Sequence, residues 1–312
     1  MKLFLGIDGG QSGTTALVGD ESGRVVGVAH GGPCNHVSGA PGREKFTRVI
    51  GDVVRQALDS LGPVHFEAAC CGFSGGPADK DVLTREIVRA EKYSITHDGL
   101  IALVGATSGA PGVIVIAGTG SFAFGRNSEG RTARAGGWGF IFGDEGGGFD
   151  LVRQALRAAL RFEEGWGTAT ALRDALLAAT GAPDANEALH RFYTDEYPRD
   201  RVALLAKVVD EVAQARDGVA RDLLNGAAQS LATIASAVRQ QLFSAEEPAR
   251  VSYIGGVFRS RALLARFRLL IELNEHNRVA APLHSPAAGA LLEAYRIAGI
   301  KCEISGDPEQ LR

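Results

Sequence analysis

The stretch KLFLGIDGGQSGTTALVGDESGRVVGVAH, residues 2–30, contains three strand-like segments joined by two turns. KLFLGID leads into the glycine turn Gly9–Gly13, and TTALVGD and RVVGVAH follow with Asp20-Glu21-Ser22-Gly23 between them. Clusters of glycine, aspartate and serine between apolar runs are typical of tight chain reversals. The stretch therefore predicts antiparallel strand pairs at the start of an α/β chain.

The same layout returns in GVIVIAGTGSFAFGRNSEGRTARAGG, residues 112–137, and this self-similarity indicates two related structural units. Apolar spacing predicts helices over 43–61 and 78–92, a mostly helical insert over 149–243, and a C-terminal helix over about 286–298. ARVSYIGG, residues 249–256, predicts one more strand. We therefore predict an N-terminal lobe over 1–110 and a C-terminal lobe over 111–312, with the C-terminal helix a candidate to pack back on the first lobe.

The composition excludes several classes of partner and site. The 312 residues carry 33 Lys and Arg against 36 Asp and Glu, with no basic run, so we expect neither nucleic acid nor an anionic membrane as a partner. Four cysteines form no C-x-x-C pair, which disfavours a zinc site or a disulfide framework and fits reduced thiols in the cytoplasm. The apolar start is too short for a signal peptide, and no stretch approaches the ~20 apolar residues of a membrane span.

Glycines accompanied by hydroxyl residues follow the first strand of each repeat. In Asp8-Gly9-Gly10-Gln11-Ser12-Gly13-Thr14, backbone N–H groups can approach phosphate oxygens, and the side-chain hydroxyls add donors. Asp8 could hold a hydrated Mg²⁺. A plain β-hairpin explains one such turn equally well. Ala117-Gly118-Thr119-Gly120-Ser121 repeats the pattern, and two such turns could grip a polyphosphate from both sides of a cleft.

Other short motifs each have a functional and a structural interpretation. Asp98 could be a base for a substrate hydroxyl, although a helix N-cap is the more common role of such an aspartate. Asn35 and Ser74 could contact sugar hydroxyls or belong to simple turns. The glycines of Gly255-Gly256 would let a flat ring lie against the backbone, or they would form an ordinary strand-to-helix turn.

Taken in order, these motifs resemble the sugar kinase/Hsp70/actin ATPase superfamily. The resemblance is closer to the eukaryotic-type N-acetylglucosamine kinases within the BadF/BadG/BcrA/BcrD ATPase family. It is carried by GIDGGQSGTT, GFSGG, ITHD, IAGTGS, GGWGFIFGDEGGG and YIGGVF, and the glycine-rich stretch 136–148 is the most specific of them.

The resemblance implies two actin-like, ribonuclease H-like lobes around a central cleft, with the helical insert in the second. It also implies ATP- and Mg²⁺-dependent phosphorylation of an amino sugar at its 6-hydroxyl, in families where a homodimer is common. By position, Asp98 matches the catalytic base and a sugar contact, and Asp8 matches the aspartate near Mg²⁺. Nucleotide and phosphate positions are matched by Gly10, Gln11, Ser12, Thr14, Thr119, Gly120, Ala213, Gly255 and Gly256. Sugar positions are matched by Asn35, Ser74, Gly137, Trp138 and Asp144.

At some positions this sequence differs from the motifs of related families, and these differences bear on the predicted activity and acceptor. The second glycine loop has no neighbouring cysteine, which argues against the iron–sulfur activators of 2-hydroxyacyl-CoA dehydratases. The cysteine-rich zinc motif of ROK-type sugar kinases is also absent. Val37 stands where N-acetylglucosamine kinases usually have an aromatic residue, so N-acetylglucosamine, N-acetylmuramic acid, glucosamine and glucose remain open as acceptors. A non-catalytic ATP-dependent switch is the alternative from another class.

Overall fold

The chain forms two compact units, each built on a five-stranded sheet. The computed structural model describes residues 1–34, 37, 39–58, 62 and 64–306. One unit comprises Met1–Gly112 and the segment that begins at Ala281, and the other comprises Val113–Ala280. None of the helices in these described ranges is long and apolar enough to cross a membrane.

The first sheet contains the predicted three-strand start followed by two parallel strands. Its members are β1 (Leu3–Gly9), β2 (Thr14–Asp20), β3 (Val25–Gly31), β4 (Phe66–Phe73) and β5 (Ala90–His97), in the spatial order β3-β2-β1-β4-β5. Strand β2 pairs antiparallel with both β1 and β3, whereas β4 lies parallel to β1 and β5 lies parallel to β4. The carboxyl ends of β1, β4 and β5 therefore meet at one edge.

Each of the last three strands of this sheet in chain order is followed by a helix. Strand β3 is followed by α1 (Gly39–Ala57), β4 by α2 (Asp81–Ile87) and β5 by α3 (Asp98–Thr107). Phe46, Ile50 and Val53 form the buried face of α1 and pack in one core with residues of the first sheet. The predicted helix over 78–92 is too long, because the chain from Ala90 onward is part of the edge strand β5. Pairing with β4 outweighs the helical preference of its Glu91 and Lys92.

The second sheet repeats the order of the first, which confirms the two-fold internal repetition seen in the sequence. Its strands are β6 (Gly112–Ala117), β7 (Ser121–Arg126), β8 (Thr132–Gly136), β9 (Ala249–Ile254) and β10 (Asn277–Ala280), in the order β10-β9-β6-β7-β8. Strands β6, β9 and β10 are parallel neighbours, as β1, β4 and β5 are in the first sheet. The two units therefore share one α/β sheet topology.

The predicted helical insert is confirmed between β8 and β9. It consists of α4 (Gly148–Glu163), α5 (Leu172–Thr180), α6 (Ala185–Phe192), α7 (Arg199–Leu204), α8 (Ala206–Gln214) and α9 (Gly218–Leu242). A 3₁₀ turn, Gly256–Arg259, and α10 (Arg261–Glu272) connect β9 to β10. The buried face of α9, which includes Leu224, Leu231 and Val238, shares one core with residues of the second sheet.

The last helix, α11 (Pro286–Ala298), packs in the first unit against β1 and α3. Its crossing with α3 is very close, because a Cβ on Gly289 would collide with backbone atoms of Ile101 and Gly105. A Cβ on Gly6 in β1 would likewise collide with the backbone of α11 at Leu291. The chain from Ala281 onward thus belongs to the first unit. The sequence predicts a C-terminal lobe over 111–312, with only the helix over about 286–298 a candidate to pack back on the first lobe.

Candidate functional site

The carboxyl edge of the first sheet brings together three of the predicted site segments. Asp8 in β1 is aligned with Gly72 in β4, and Gly72 is aligned with Thr96 in β5. The glycine turn, Ser74 and Asp98 therefore follow directly from three adjacent parallel strands. Because the sheet fixes these strand ends, side chains far apart in sequence become neighbours.

Ser74 and Asp98 are joined by a short hydrogen bond. The Ser74 hydroxyl donates to Asp98 Oδ2 at 2.6 Å, and Asp98 Oδ1 accepts from Gly99 N at 2.9 Å. Ser74 N donates to Gly9 O at 3.0 Å, which ties the serine to the glycine turn. Both carboxylate oxygens of Asp98 are thus held at the sheet edge.

The N-cap role that the sequence offered to Asp98 belongs to the preceding residue. His97 precedes α3 with extended backbone angles, and its Nδ1 accepts from Leu100 N at 3.3 Å. Asp98 is the first residue of the helix itself. Its carboxylate is therefore not used as the cap and is available for the chemistry of the site.

The first glycine turn exposes fewer hydroxyl donors than the sequence suggested. Gly10 N donates to Gly13 O at 2.8 Å and closes the turn, with Gln11 and Ser12 exposed at its tip. Thr14 is buried, and its hydroxyl donates to Gly32 O at 2.8 Å. Since a hydroxyl has a single hydrogen to donate, Thr14 shapes the turn, and the tip residues provide the donors that face outward.

Asp8 lies half-buried beside this turn and fits a hydrated Mg²⁺. Within the described ranges, no three His, Cys, Asp or Glu side chains lie close enough to form a metal site. Mg²⁺ needs only one or two carboxylates when waters and substrate phosphates complete its shell. A single aspartate beside the first glycine turn is therefore a sufficient protein donor for this ion if phosphate oxygens and waters complete its shell.

Cys34 directly precedes the predicted sugar contact Asn35. Cys34 is buried against Gly9, where a Cβ would collide with the Cys34 sulfur. Burial raises the pKa of the Cys34 thiol, so the thiol stays protonated at neutral pH. Asn35, a predicted sugar contact, lies outside the described residues.

The second glycine loop is fixed by the start of the helical insert. Gly118 N donates to Gly120 O at 3.0 Å, while Gly148 N and Phe149 N donate to Gly118 O at 2.8 Å and Thr119 O at 3.1 Å. Two N–H groups in the first turn of α4 therefore donate to carbonyl oxygens of the loop, and this part of the helix N-terminus has its hydrogen-bond partners within the loop. The Thr119 side chain remains half-exposed at the tip.

The predicted adenosine motif lies beside this loop, since β6 and β9 are parallel neighbours. Gly255 has φ 113° and packs so closely that a Cβ would collide with Ala117 O. Gly256, which begins the 3₁₀ turn, has open space at its Cβ position. The two adjacent glycines therefore differ in packing: Gly255 permits a close backbone contact, whereas Gly256 faces open space.

Gly255→Ala should lower the stability of the second unit, whereas Gly256→Ala should leave it nearly unchanged. An alanine at positive φ in contact with backbone costs about 2 kcal/mol or more. We expect thermal denaturation to show a melting temperature lower by roughly 4–8 °C for Gly255→Ala. Equal melting temperatures for the two variants would contradict the different packing of these glycines.

A cavity of about 290 Å³ lies against Ala213 in the second unit. Its wall includes Asp210, Gln214, Arg221 and Asn225, so it offers donors and acceptors beside the apolar surface of Ala213. The hydroxyl of Ser260, the N-cap of α10, donates a hydrogen bond to Asp210 Oδ1. This mixed lining suits a flat heteroaromatic base.

The stretch 136–148 has an exposed apolar tip, and its base is hydrogen-bonded to the second sheet. Trp138 is 76% exposed, and Ile141 and Phe142 are also exposed. Gly137, at φ 72°, donates its N–H to Ser121 O at 3.0 Å. The tip can therefore offer aromatic surface to a ligand while its base is fixed to the second sheet.

Asp144 lies on the inner side of this stretch and contacts the second glycine loop. It is 7% exposed, and its Oδ1 accepts from Ser121 N at 3.4 Å. The glycines that follow form the turn into α4, with Gly147 as N-cap and Gly148 as the first helical residue. The sequence placed Trp138 and Asp144 among sugar contacts, and in the structure the tryptophan is exposed while the aspartate is engaged with Ser121.

Lys80 and Arg199 are candidate functional residues that the sequence did not reveal. Lys80 is only 3% exposed, and its Nζ donates to Gly76 O at 3.1 Å and to Asp79 Oδ1 at 2.7 Å, which fixes the loop after Ser74. Arg199 Nη2 lies 3.4 Å from Asp144 Oδ2. Neither belongs to a motif, and no local pattern marks a lysine as buried or an arginine as the partner of a distant aspartate.

A family model described as the BadF/BadG/BcrA/BcrD ATPase family matches residues 5–294. The chain belongs to this ATPase family. It is 32% identical over 282 residues to an N-acetylmuramic acid/N-acetylglucosamine kinase of Clostridium acetobutylicum, with 88% of this chain and 92% of the relative covered. The resemblance inferred from the motifs is thereby confirmed.

Two further comparisons support the assignment of this ATPase-family chain. It is 27% identical over 313 residues to an N-acetyl-D-glucosamine kinase of Dictyostelium discoideum, covering 94% of the chain and 98% of the relative. A solved structure of a candidate N-acetylglucosamine kinase from Chromobacterium violaceum superposes with a TM-score of 0.78 at 26% identity, covering 94% of this chain and 98% of that one. The predicted fold class is confirmed.

Proposed function

We propose that the protein is an ATP-dependent amino sugar kinase that phosphorylates the 6-hydroxyl of N-acetylglucosamine, N-acetylmuramic acid or both. The observation that carries this proposal is the Ser74–Asp98 hydrogen bond of 2.6 Å at the sheet edge that also carries the Asp8 turn. The names of the kinases to which the chain is similar support the class of acceptor. Glucosamine and glucose remain as alternative acceptors.

Asp98 acts in this proposal as the general base. Its carboxylate accepts the proton of the sugar hydroxyl while that oxygen bonds to the γ-phosphorus, and the bond from phosphorus to the bridging oxygen of ADP breaks. Ser74 and Gly99 N each donate to one carboxylate oxygen, so the lone pairs that accept the proton have a fixed direction. Phosphoryl transfer depends mainly on such positioning, because the protein forms no covalent bond to the phosphate.

Each unit, taken by itself, has donors suited to phosphate groups. In the first, the exposed tip of Gln11 and Ser12 faces outward beside Asp8, which would hold Mg²⁺ through water. Bound Mg²⁺ would neutralise negative charge that develops on the phosphate oxygens. In the second, Thr119 and Gly120 offer a further phosphate loop, and the cavity at Ala213 offers a place for the base.

The sugar side of the proposal rests on exposed aromatic surface and on hydrogen-bonding groups. A pyranose ring can pack its apolar face on Trp138, which is 76% exposed beside Gly137. Ser74 donates to Asp98, the proposed base, and would therefore lie near the reacting hydroxyl. Asn35 and Asp144 remain proposed sugar contacts, carried over from the resemblance.

Release of ADP tests this function when it is measured with and without each of the four sugars. We expect N-acetylglucosamine or N-acetylmuramic acid to raise the rate at least about tenfold over the sugar-free rate, because water is a poor competitor for a positioned hydroxyl. ADP release that no sugar stimulates would contradict the proposal. It would favour the ATP-dependent switch instead.

A further inference from the structure

Arg199 connects the helical insert to the second glycine loop. It is the first residue of α7, and its guanidinium carbon lies 4.4 Å from the centre of the Phe140 ring and 5.7 Å from that of Phe149. Its Nη2 lies 3.4 Å from Asp144 Oδ2. Aromatic rings beside a planar cation restrict its rotation, so the charge has a fixed place next to Asp144.

The Asp144 carboxylate lies where it opposes phosphate binding. It fills the space that a Cβ on Gly120 would need, and it accepts from Ser121 N at 3.4 Å. Asp144 also has φ 63°, a left-handed conformation that residues other than glycine rarely adopt. A buried negative charge at this position repels a polyphosphate unless a cation neutralises it.

We propose that Arg199 is a positioning residue that neutralises Asp144 and holds its carboxylate against Gly120 and Ser121, so that this loop can bind the phosphates of a nucleoside triphosphate. The inference rests on the proposed function in one respect, the phosphate role of the loop. Phe140, whose ring lies against the Arg199 guanidinium, is itself held in place by a neighbouring arginine. Arg153 donates to Phe140 O at 3.2 Å and pairs with Asp150 at 2.6 Å.

Binding of a non-hydrolysable ATP analogue with Mg²⁺, measured by calorimetry, tests this proposal. We expect Arg199→Met to bind the analogue about tenfold more weakly, a loss typical of an uncompensated charge. Asp144→Asn removes the charge that Arg199 offsets, and asparagine tolerates a positive φ. The double variant should therefore bind within about threefold of Asp144→Asn alone, because the two substitutions remove one interaction.

Arg201→Met is the matched control. Arg201 lies on the same helix, 4.3 Å from the centre of the Tyr197 ring, and donates to Glu196 O. We expect its affinity for the analogue to equal that of the wild type. Arg199→Lys keeps the positive charge and should recover part of the lost affinity, which a purely structural role of the stacked side chain would not produce.

The outcomes separate this inference from the proposed function. Arg199→Met with wild-type affinity, or a double variant as weak as the two single effects combined, would overturn the role of Arg199. An unchanged affinity for the analogue would overturn it even if the sugar KM rose, because Arg199 would then act only through the sugar contact proposed for Asp144. A wild type that binds the analogue but phosphorylates no sugar would overturn the kinase proposal and leave the role of Arg199 testable by the same binding measurements.

Discussion

Asp98→Asn should lower kcat by roughly 10²- to 10⁴-fold, the usual contribution of a general base. Asparagine keeps the shape of the side chain and can still accept the hydrogen bond from Ser74, but its amide cannot take the proton of the sugar hydroxyl. Sugar binding should persist, because the contacts of the site remain. Steady-state kinetics and direct sugar-binding measurements on the same preparation give both quantities.

Asp52→Asn is a suitable control for this variant. Asp52 lies on α1 and pairs with Arg55 on the surface of the same unit. Its replacement should leave kcat unchanged, because an exposed ion pair contributes little. If Asp98→Asn kept a kcat within about threefold of the wild type, a loss far smaller than that of a general base, Asp98 would not be the base.

Gly289→Val should destabilise the first unit by about 3 kcal/mol or more, since added carbon atoms have no space where α11 crosses α3. The collisions are with backbone atoms of Ile101 and Gly105, which cannot rotate aside as a flexible side chain can. Because α11 also packs on β1, a displaced helix disturbs the strand that leads into the first glycine turn. Thermal denaturation should show a melting temperature lower by on the order of 10 °C.

Gly51→Ala provides the comparison within the same unit. Gly51 lies inside α1, and the nearest atom to an added Cβ is Ile87 Cγ2 at 3.8 Å, an ordinary contact. Alanine favours the helix over glycine, so we expect a gain of about 0.5–1 kcal/mol. If Gly289→Val melted at the same temperature as Gly51→Ala, the close crossing of α11 with α3 would be refuted.

The repeated strand-and-turn units were predictable because their signals are local. Glycine turns and polar turns separate apolar runs in both repeats, and adjacent strands of such a meander pair with each other. Strand β10 was missed, since its four residues, Asn277–Ala280, are too few to show a period. The start of β5 contains Glu91 and Lys92, and only pairing with β4 makes it a strand.

The candidate site was predictable where a motif follows a strand and unpredictable where its partners are distant. The positions of Asp8 and Asp98 at strand ends follow from the sequence. The choice of His97 as N-cap does not, because either of two adjacent residues could cap α3. Asp144 and Arg199 lie 55 positions apart in the sequence, and no local pattern indicates their pairing.

The most direct test of the central claim is identification of the product by mass spectrometry and ³¹P NMR after incubation with ATP, Mg²⁺ and N-acetylglucosamine or N-acetylmuramic acid. We predict one sugar 6-phosphate for each ADP released, and at least about a hundredfold less product in the same time with Asp98→Asn. ADP accompanied by inorganic phosphate, with no phosphorylated sugar, would contradict the account.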